Sequence, residues 1–242
     1  MSAVDQAGGQ WTFTPKVAAE FDKHVSSSVP FYNEIQDLVA QCSDWALPER
    51  AVFADLGAST GTTAAAISKR HPERNIGFVL YDREDAMLER ARAKLSGVRA
   101  SYVRCDLGRD SLSHDEAGLT VALFTLQFMP EADRLRVLSE ARDRASAGGM
   151  LVVAEKLREA DSRWHEIAAE LSWDQKLAAG LSAEHVVVKA ASLRGVLRPL
   201  DDLANRAMIE RAGWSSVEVL FRWQQWCVYG AFAGAPGGGW VR

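Results

Sequence analysis

Apolar residues in this chain fall in two rhythms. Short unbroken runs bounded by Gly, Pro, Asp or Asn predict buried strands at 52–56, 75–81, 100–104, 119–125 and 150–154. Between them, apolar positions three and four apart predict helices at 62–70, 84–95 and 131–146. This alternation implies right-handed crossovers and a parallel sheet. Ahead of it, a helix from Pro15 carries Val17, Ala18, Phe21 and Val25 on one face and breaks at Ser26-Ser27-Ser28. Pro30 opens a second helix, which turns Phe31, Ile35, Leu38 and Val39 towards the core and ends near Trp45. Residues 158–192 leave the alternation and predict two helices rich in large side chains, a cap inserted above the sheet edge. After a helix at 200–212 stopped by Gly213, strands at 217–221 and 226–232 have a connection too short for a parallel crossover, so the last strand runs antiparallel. The expectation is an α/β fold with a mainly parallel seven-stranded sheet, an antiparallel last strand and a helical cap. A mobile tail at 1–14 precedes one domain at 15–242, with cover helices at 15–46, the cap at 158–192 and a loose Gly/Pro-rich end after Ala233.

One turn in this pattern carries chemistry: Asp55-Leu56-Gly57-Ala58-Ser59-Thr60-Gly61-Thr62-Thr63, between the first strand and its helix. Small residues let the backbone approach a ligand, and unbonded N–H groups at the helix start suit a carboxylate or phosphate. A dinucleotide fingerprint wants glycine at the first, third and sixth places; here these are Gly57, Ser59 and Thr62, which disfavours a pyrophosphate ligand. Asp82 ends the second strand 21 residues past Gly61 and is placed to accept both hydroxyls of a ribose, the competing assignment being an N-cap for helix 84–95. Ligands of open α/β sheets sit beyond the carboxyl ends of the strands, so Asp106 is placed for an adenine amino group, with Leu107 or Phe128 beside the base. With Asp55 two residues before Gly57 and the glycines four apart, the turn resembles the D-L-G-x-x-x-G signature of class I S-adenosylmethionine (SAM) methyltransferases. That resemblance implies a Rossmann-like class I methyltransferase fold and S-adenosyl-L-methionine as cofactor, with S-adenosyl-L-homocysteine as its product. Asp55, Gly57, Ala58, Ser59, Gly61, Asp82, Arg83, Asp106, Leu107 and Leu123 would hold it.

Composition narrows the partners. The 242 residues carry 28 Lys and Arg against 32 Asp and Glu, a formal net charge of −4, and no basic block that would grip a phosphate backbone, so direct nucleic-acid binding is not expected. Cys42, Cys105 and Cys227 are far apart and form no C-x-x-C pair, which indicates neither a disulfide framework nor a metal site and suits a cytoplasmic setting. The polar start and the absence of a long apolar run predict a protein outside the membrane, with no leader. The expected partner is a small-molecule acceptor, with a homodimer left open.

A narrower resemblance covers roughly residues 20–232. Phe21-Asp22 through Ser28-Val29-Pro30-Phe31-Tyr32, Phe124-Thr125-Leu126-Gln127-Phe128, and Ser139 to Gly149 followed by Glu155-Lys156 resemble carboxy-S-adenosylmethionine synthase, a bacterial family also described as a tRNA uridine 5-oxyacetate methyltransferase. The resemblance implies that the extra carboxylate of the family's product is held by an asparagine just before F-T-L-Q-F and by an arginine in the cap. Leu123 stands at the first position; counting back from Arg211-Ala212-Gly213-Trp214 puts the second at or near Ala190, with Arg194 and Arg198 close by. An anion buried without those ligands is strongly disfavoured. The expected activity is therefore direct displacement of the SAM methyl group onto a small-molecule acceptor, the protein positioning and desolvating the reactants. Phe31, Tyr32, Phe128, Trp164, Trp173 and Trp223 would shape the acceptor pocket. His165 and Tyr32 are the candidate catalytic groups, His165 because a histidine titrates near neutrality. Two alternatives stand beside this: a carboxy-SAM synthase using prephenate and serving tRNA wobble-uridine modification, with Arg194 or Arg198 as the carboxylate ligand, and a non-catalytic SAM-fold subunit of a partner enzyme.

Overall fold

The computed structural model describes residues 15–234; the expected tail at 1–14 and the segment beyond 234 lie outside them. Helices α1 (Pro15–Ser28) and α2 (Tyr32–Ala46) lead into the alternation β1 (Val52–Leu56), α3 (Thr62–Arg70), β2 (Gly77–Asp82), α4 (Asp85–Lys94), β3 (Ala100–Arg104) and β4 (Ala117–Leu123). A short 3-10 turn at Leu126–Phe128, α5 (Glu131–Asp143) and β5 (Ala145–Lys156) follow, then α6 (Ser162–Ala178), α7 (Ala183–Ser192), α8 (Asp202–Arg211), β6 (Ser215–Trp223) and β7 (Trp226–Phe232). The seven strands form one sheet in the order β3-β2-β1-β4-β5-β7-β6, in which β1 to β5 pair in parallel and β7 runs antiparallel to both its neighbours.

Successive strand side chains point to opposite faces, so each face needs its own apolar cover. On one face Leu56, Tyr81, Leu151 and Tyr229 pack with Val137, Leu138, Ile209 and Trp214. On the other, Phe53, Phe78, Leu119 and Val152 pack with Ile35, Val39, Ile67 and Leu95. The carboxyl ends of β1 to β5 are left at one edge, where the site forms.

Three boundaries depart from the apolar pattern, each for a backbone reason. Strand β4 stops at Leu123 because Phe124 turns into the left-handed region at φ 57, although its N–H still donates to the Ala154 carbonyl at 2.7 Å. Strand β5 starts at Ala145, since that residue pairs with Ala117 before a register shift, so the expected Ala-Gly-Gly turn continues the strand. Helix α2 starts at Tyr32 because Phe31 lies at φ 56. Phe31 consequently leaves the core, and its ring, 40% exposed, stands edge-on to Phe221 and Trp223. No helix among the described residues is long and apolar enough to cross a membrane.

Candidate functional site

The turn after β1 is folded back over the end of β2. The Gly57 and Ala58 N–H groups both donate to the Tyr81 carbonyl at 2.8 Å, and the Ser59 N–H donates to Asp82 Oδ2 at 2.8 Å. Asp82 Oδ1 accepts from the Glu84 N–H at 2.9 Å. The N-cap of α4 is Glu84, so Asp82 braces the turn rather than occupying the cap position. Gly57 sits at φ 89, where a Cβ would fall 2.2 Å from Thr125 Oγ1; a side chain there would meet both strain and collision. Gly61, at φ 74, is the N-cap of α3.

A cavity of about 870 Å³ opens above this turn. Its floor is built from strand ends: Asp55, Gly57, Ala58 and Ser59 after β1, Asp82 and Arg83 after β2, Asp106 and Leu107 after β3, and Leu123 to Thr125 after β4. Asp106 Oδ1 accepts from the Gly108 N–H at 3.0 Å and so shapes its own loop. Helices α1 and α2 contribute Phe21, Val25 and Tyr32 as cover, Val29 joins them from the turn between, and the cap contributes Lys176, Lys189 and Leu193. The ring of Phe124 stands 6.4 Å from Tyr32 and 5.6 Å from Trp226, making one aromatic side of the space.

The cavity's buried acids and its lysines come from different elements. Asp55 is 2% exposed, its Oδ2 is buried without a hydrogen-bond partner among the described residues, and burial, reinforced by nearby Asp82, pushes its carboxyl up to about 8. Burial also raises Asp82. Burial and the charge of Lys176 hold Lys156 down to about 8, and burial lowers Lys176. Lys189 donates to Ser28 Oγ at 2.8 Å and to His24 Nε2 at 2.7 Å; burial, with Lys189 beside it, holds His24 down to about 4.

Several expected acceptor residues are not on the cavity wall. On α6 the buried positions Ala168 and Ser172 lead to Lys176, which lines the cavity; Trp164 and Trp173 fall on other faces and are 63% and 51% exposed. His165 is also off the wall, its Nδ1 buried without a hydrogen-bond partner among the described residues. Trp223 and Phe31 pair with each other outside, at 5.0 Å between rings. Gly61 supports the turn without lining the space, whereas Phe128 does line it. Arg194 and Arg198 are exposed and off the wall, as is Ala190, while Leu123 presents an apolar side chain to it. The sequence reading missed Trp226, Phe124, Lys156, Lys176 and Lys189 as wall residues. Phe124 and Lys156 stood within the motifs already singled out; nothing in the sequence marked the other three.

Comparison with known proteins places this geometry. A family model described as a methyltransferase domain matches residues 53–149. The chain is similar to carboxy-S-adenosyl-L-methionine synthase from Staphylococcus epidermidis, 31% identical over 215 residues and covering 88% of this chain and 93% of that protein. It is 30% identical over 225 residues to the protein of the same name from Nautilia profundicola, covering 92% of this chain and 94% of the other. Among solved structures it resembles human N-acetylserotonin methyltransferase in complex with SAM, with a TM-score of 0.62 at 15% identity, covering 91% of this chain and 56% of that one. An O-methyltransferase family protein from Burkholderia thailandensis gives a TM-score of 0.65 at 15% identity, with 91% and 60% covered. The chain thus spans a little over half the length of those two structures, a likeness of fold. It belongs to the carboxy-S-adenosyl-L-methionine synthase family, among the S-adenosylmethionine-dependent transferases.

Proposed function

We propose that this chain transfers the methyl group of SAM to a small-molecule acceptor. The observation that carries the reading is a single cavity with Asp55 and Asp82 at the strand ends and an aromatic, acceptor-sized space beneath the cap. Two features fit the cofactor. The unpartnered, buried Asp55 Oδ2 is a group that a cationic or N–H-bearing ligand would satisfy. Each Asp82 oxygen accepts one backbone N–H and keeps acceptor capacity for a ribose hydroxyl. Gly57, Ala58 and Ser59 would lie along the methionine portion, with Asp106 and Leu107 at the adenine and Arg83 at the rim. When bound, the cofactor supplies an electrophilic methyl group. Tyr32, Phe124 and Trp226 exclude water from the acceptor side, and burial raises the Tyr32 hydroxyl above its ordinary range, so it stays protonated and can orient an acceptor as a hydrogen-bond donor.

Leu123 and Ala190, at the two positions where the family resemblance expects carboxylate ligands, support methyl rather than carboxymethyl chemistry. The second reading, carboxy-SAM synthesis, is favoured by the shared name of relatives that span 88% and 92% of this chain. Mass spectrometry of the nucleoside that co-purifies separates the two: SAM or its homocysteine product is expected, and a carboxylated sulfonium selects the second reading. Calorimetry with S-adenosylhomocysteine tests the site itself. Asp82→Ala is expected to weaken binding about 10- to 100-fold, the loss of hydrogen bonds to a charged acceptor, and equal affinity in both proteins would remove Asp82 from the ribose.

A further inference from the structure

At the base of the cap one buried guanidinium gathers separate stretches of backbone. Arg134 on α5 is 1% exposed; its Nε donates to the Met129 carbonyl at 2.9 Å, and its Nη2 donates to the Gln127 carbonyl at 3.4 Å and to the Arg198 carbonyl. Gln127 and Met129 belong to the turn after β4 and line the cavity, whereas Arg198 lies where the chain comes back from the cap. Gln127 draws the same pieces together. Its carbonyl also accepts from the Arg198 N–H at 2.8 Å, its Oε1 accepts from the Lys156 N–H at the end of β5 at 2.8 Å, and its Nε2 donates to the Phe124 carbonyl at 3.2 Å. Within that turn Thr125 lies against the loop after β1, its Oγ1 being the atom that a Cβ on Gly57 would strike.

A guanidinium carries five N–H donors in a rigid plane, so it can hold carbonyls from different segments at one spacing; an ammonium donates from a single point. Burying that charge costs hydration, which the charge-assisted bonds to three carbonyls offset. Burial accordingly works against the Arg134 charge, and Glu155 is the acid that most supports it. A chain of contacts results, from the loop after β1 through Thr125 and the turn to Arg134, and from Arg134 to the return of the cap.

We propose that Arg134 is a positioning residue that couples the cap to the turn lying on Gly57, so that a ligand seated against the strand ends also orders the cap. Filling the strand-end side steadies Thr125, and the carbonyls of Gln127 and Met129 pass that order through the guanidinium to Arg198. The cap side then meets its own ligand with less freedom left to lose. The inference rests on the proposed cofactor site only for the choice of ligand in the test.

The test is hydrogen exchange followed by mass spectrometry on the full chain, with and without saturating S-adenosylhomocysteine. In the wild type the ligand should slow exchange both in 55–63 and in 158–200. Arg134→Lys keeps the charge and loses the planar fork. Without ligand, its exchange in 124–130 and 158–200 should rise at least about tenfold while β1 and β2 stay within about twofold, and the ligand should slow 55–63 but no longer 158–200. Arg134→Met should show the same pattern more strongly; Glu155, which burial holds up to about 8, can stay protonated there and leaves no bare charge. Equal protection of the cap by the ligand in wild type and Arg134→Lys, a wild-type cap that the ligand leaves unchanged, or exchange that rises as much in β1 and β2 overturns the coupling. Failure of both variants to fold would make Arg134 a requirement of the fold and overturn it likewise. If S-adenosylhomocysteine does not bind the wild type in calorimetry, that counts against the cofactor assignment, and the ligand-free exchange still decides whether Arg134 holds the cap.

Discussion

Asp55 is a residue on which pH acts directly. An unfolded chain releases this proton near 3.8, whereas the fold holds it up to about 8. Between those values the folded state binds the extra proton, so stability falls as pH rises through the window, by at most about 1.4 kcal/mol per pH unit, and levels off above it. Asp55→Asn removes its share of the slope and leaves that of buried Glu155, which burial also raises to about 8: its melting temperature should gain on the wild type between pH 5 and pH 8, and a constant difference would contradict the assignment. A cationic cofactor favours the ionised carboxylate, so SAM affinity measured by calorimetry should rise from pH 6.5 to pH 8.5 in the wild type but not in the variant. Asp55, Asp82 and Asp106 were legible as sequence because acids at strand ends fall where ligands of parallel sheets lie. The lysines were not: Lys reads as a solvated surface residue until the fold shows which space its stem crosses.

At the scale of elements, α1 is latched to the turn after β1. Asp22 on α1 accepts from Thr60 Oγ1 at 2.5 Å and from Lys94 Nζ on α4 at 2.8 Å, and Lys94 also donates to Thr62 Oγ1 at 2.8 Å. Burial works against the Asp22 charge, but these bonds prevail and hold its carboxyl below the usual range. Asp22→Ala should release α1 while costing the whole fold less than about 1 kcal/mol, because the latch is half-exposed. Hydrogen exchange monitored by mass spectrometry should show faster exchange in 15–31 and unchanged protection in β1 and β4; unaltered exchange in α1 would show that the latch does not hold it. The cap shows what periodicity can and cannot supply. Its two helices were readable in 158–192, yet hydrophobicity alone would turn Trp164 and Trp173 inward. Small Ala168 and Ser172 let α6 approach closely instead, and the tryptophans remain outside.

For the whole molecule, the two apolar layers on the sheet hold the strand ends in place. Trp214, 3% exposed, packs in one layer and donates its indole N–H to the Leu138 carbonyl at 2.9 Å. Trp214→Ala should cost about 3–5 kcal/mol in urea denaturation while leaving S-adenosylhomocysteine affinity of the folded protein unchanged, since it lines no part of the cavity. The sheet was largely legible because parallel strands buried on both faces need continuous apolar runs. Phe124 escaped, as a left-handed phenylalanine leaves no mark in hydrophobicity, and with it went the end of β4. One further feature bears on how such a molecule changes. The Arg158 N–H donates to the Leu200 carbonyl at 3.0 Å, and the Arg198 N–H to the Gln127 carbonyl at 2.8 Å, so the chain leaves the sheet for the cap and returns beside its point of departure. An excursion closed at its base can grow or shrink with little effect on the strands beneath, since doubling its length adds only about 0.6 kcal/mol of closure entropy. The cap side of the cavity can thus be rewritten in one contiguous stretch of sequence while the side built from strand ends is inherited intact.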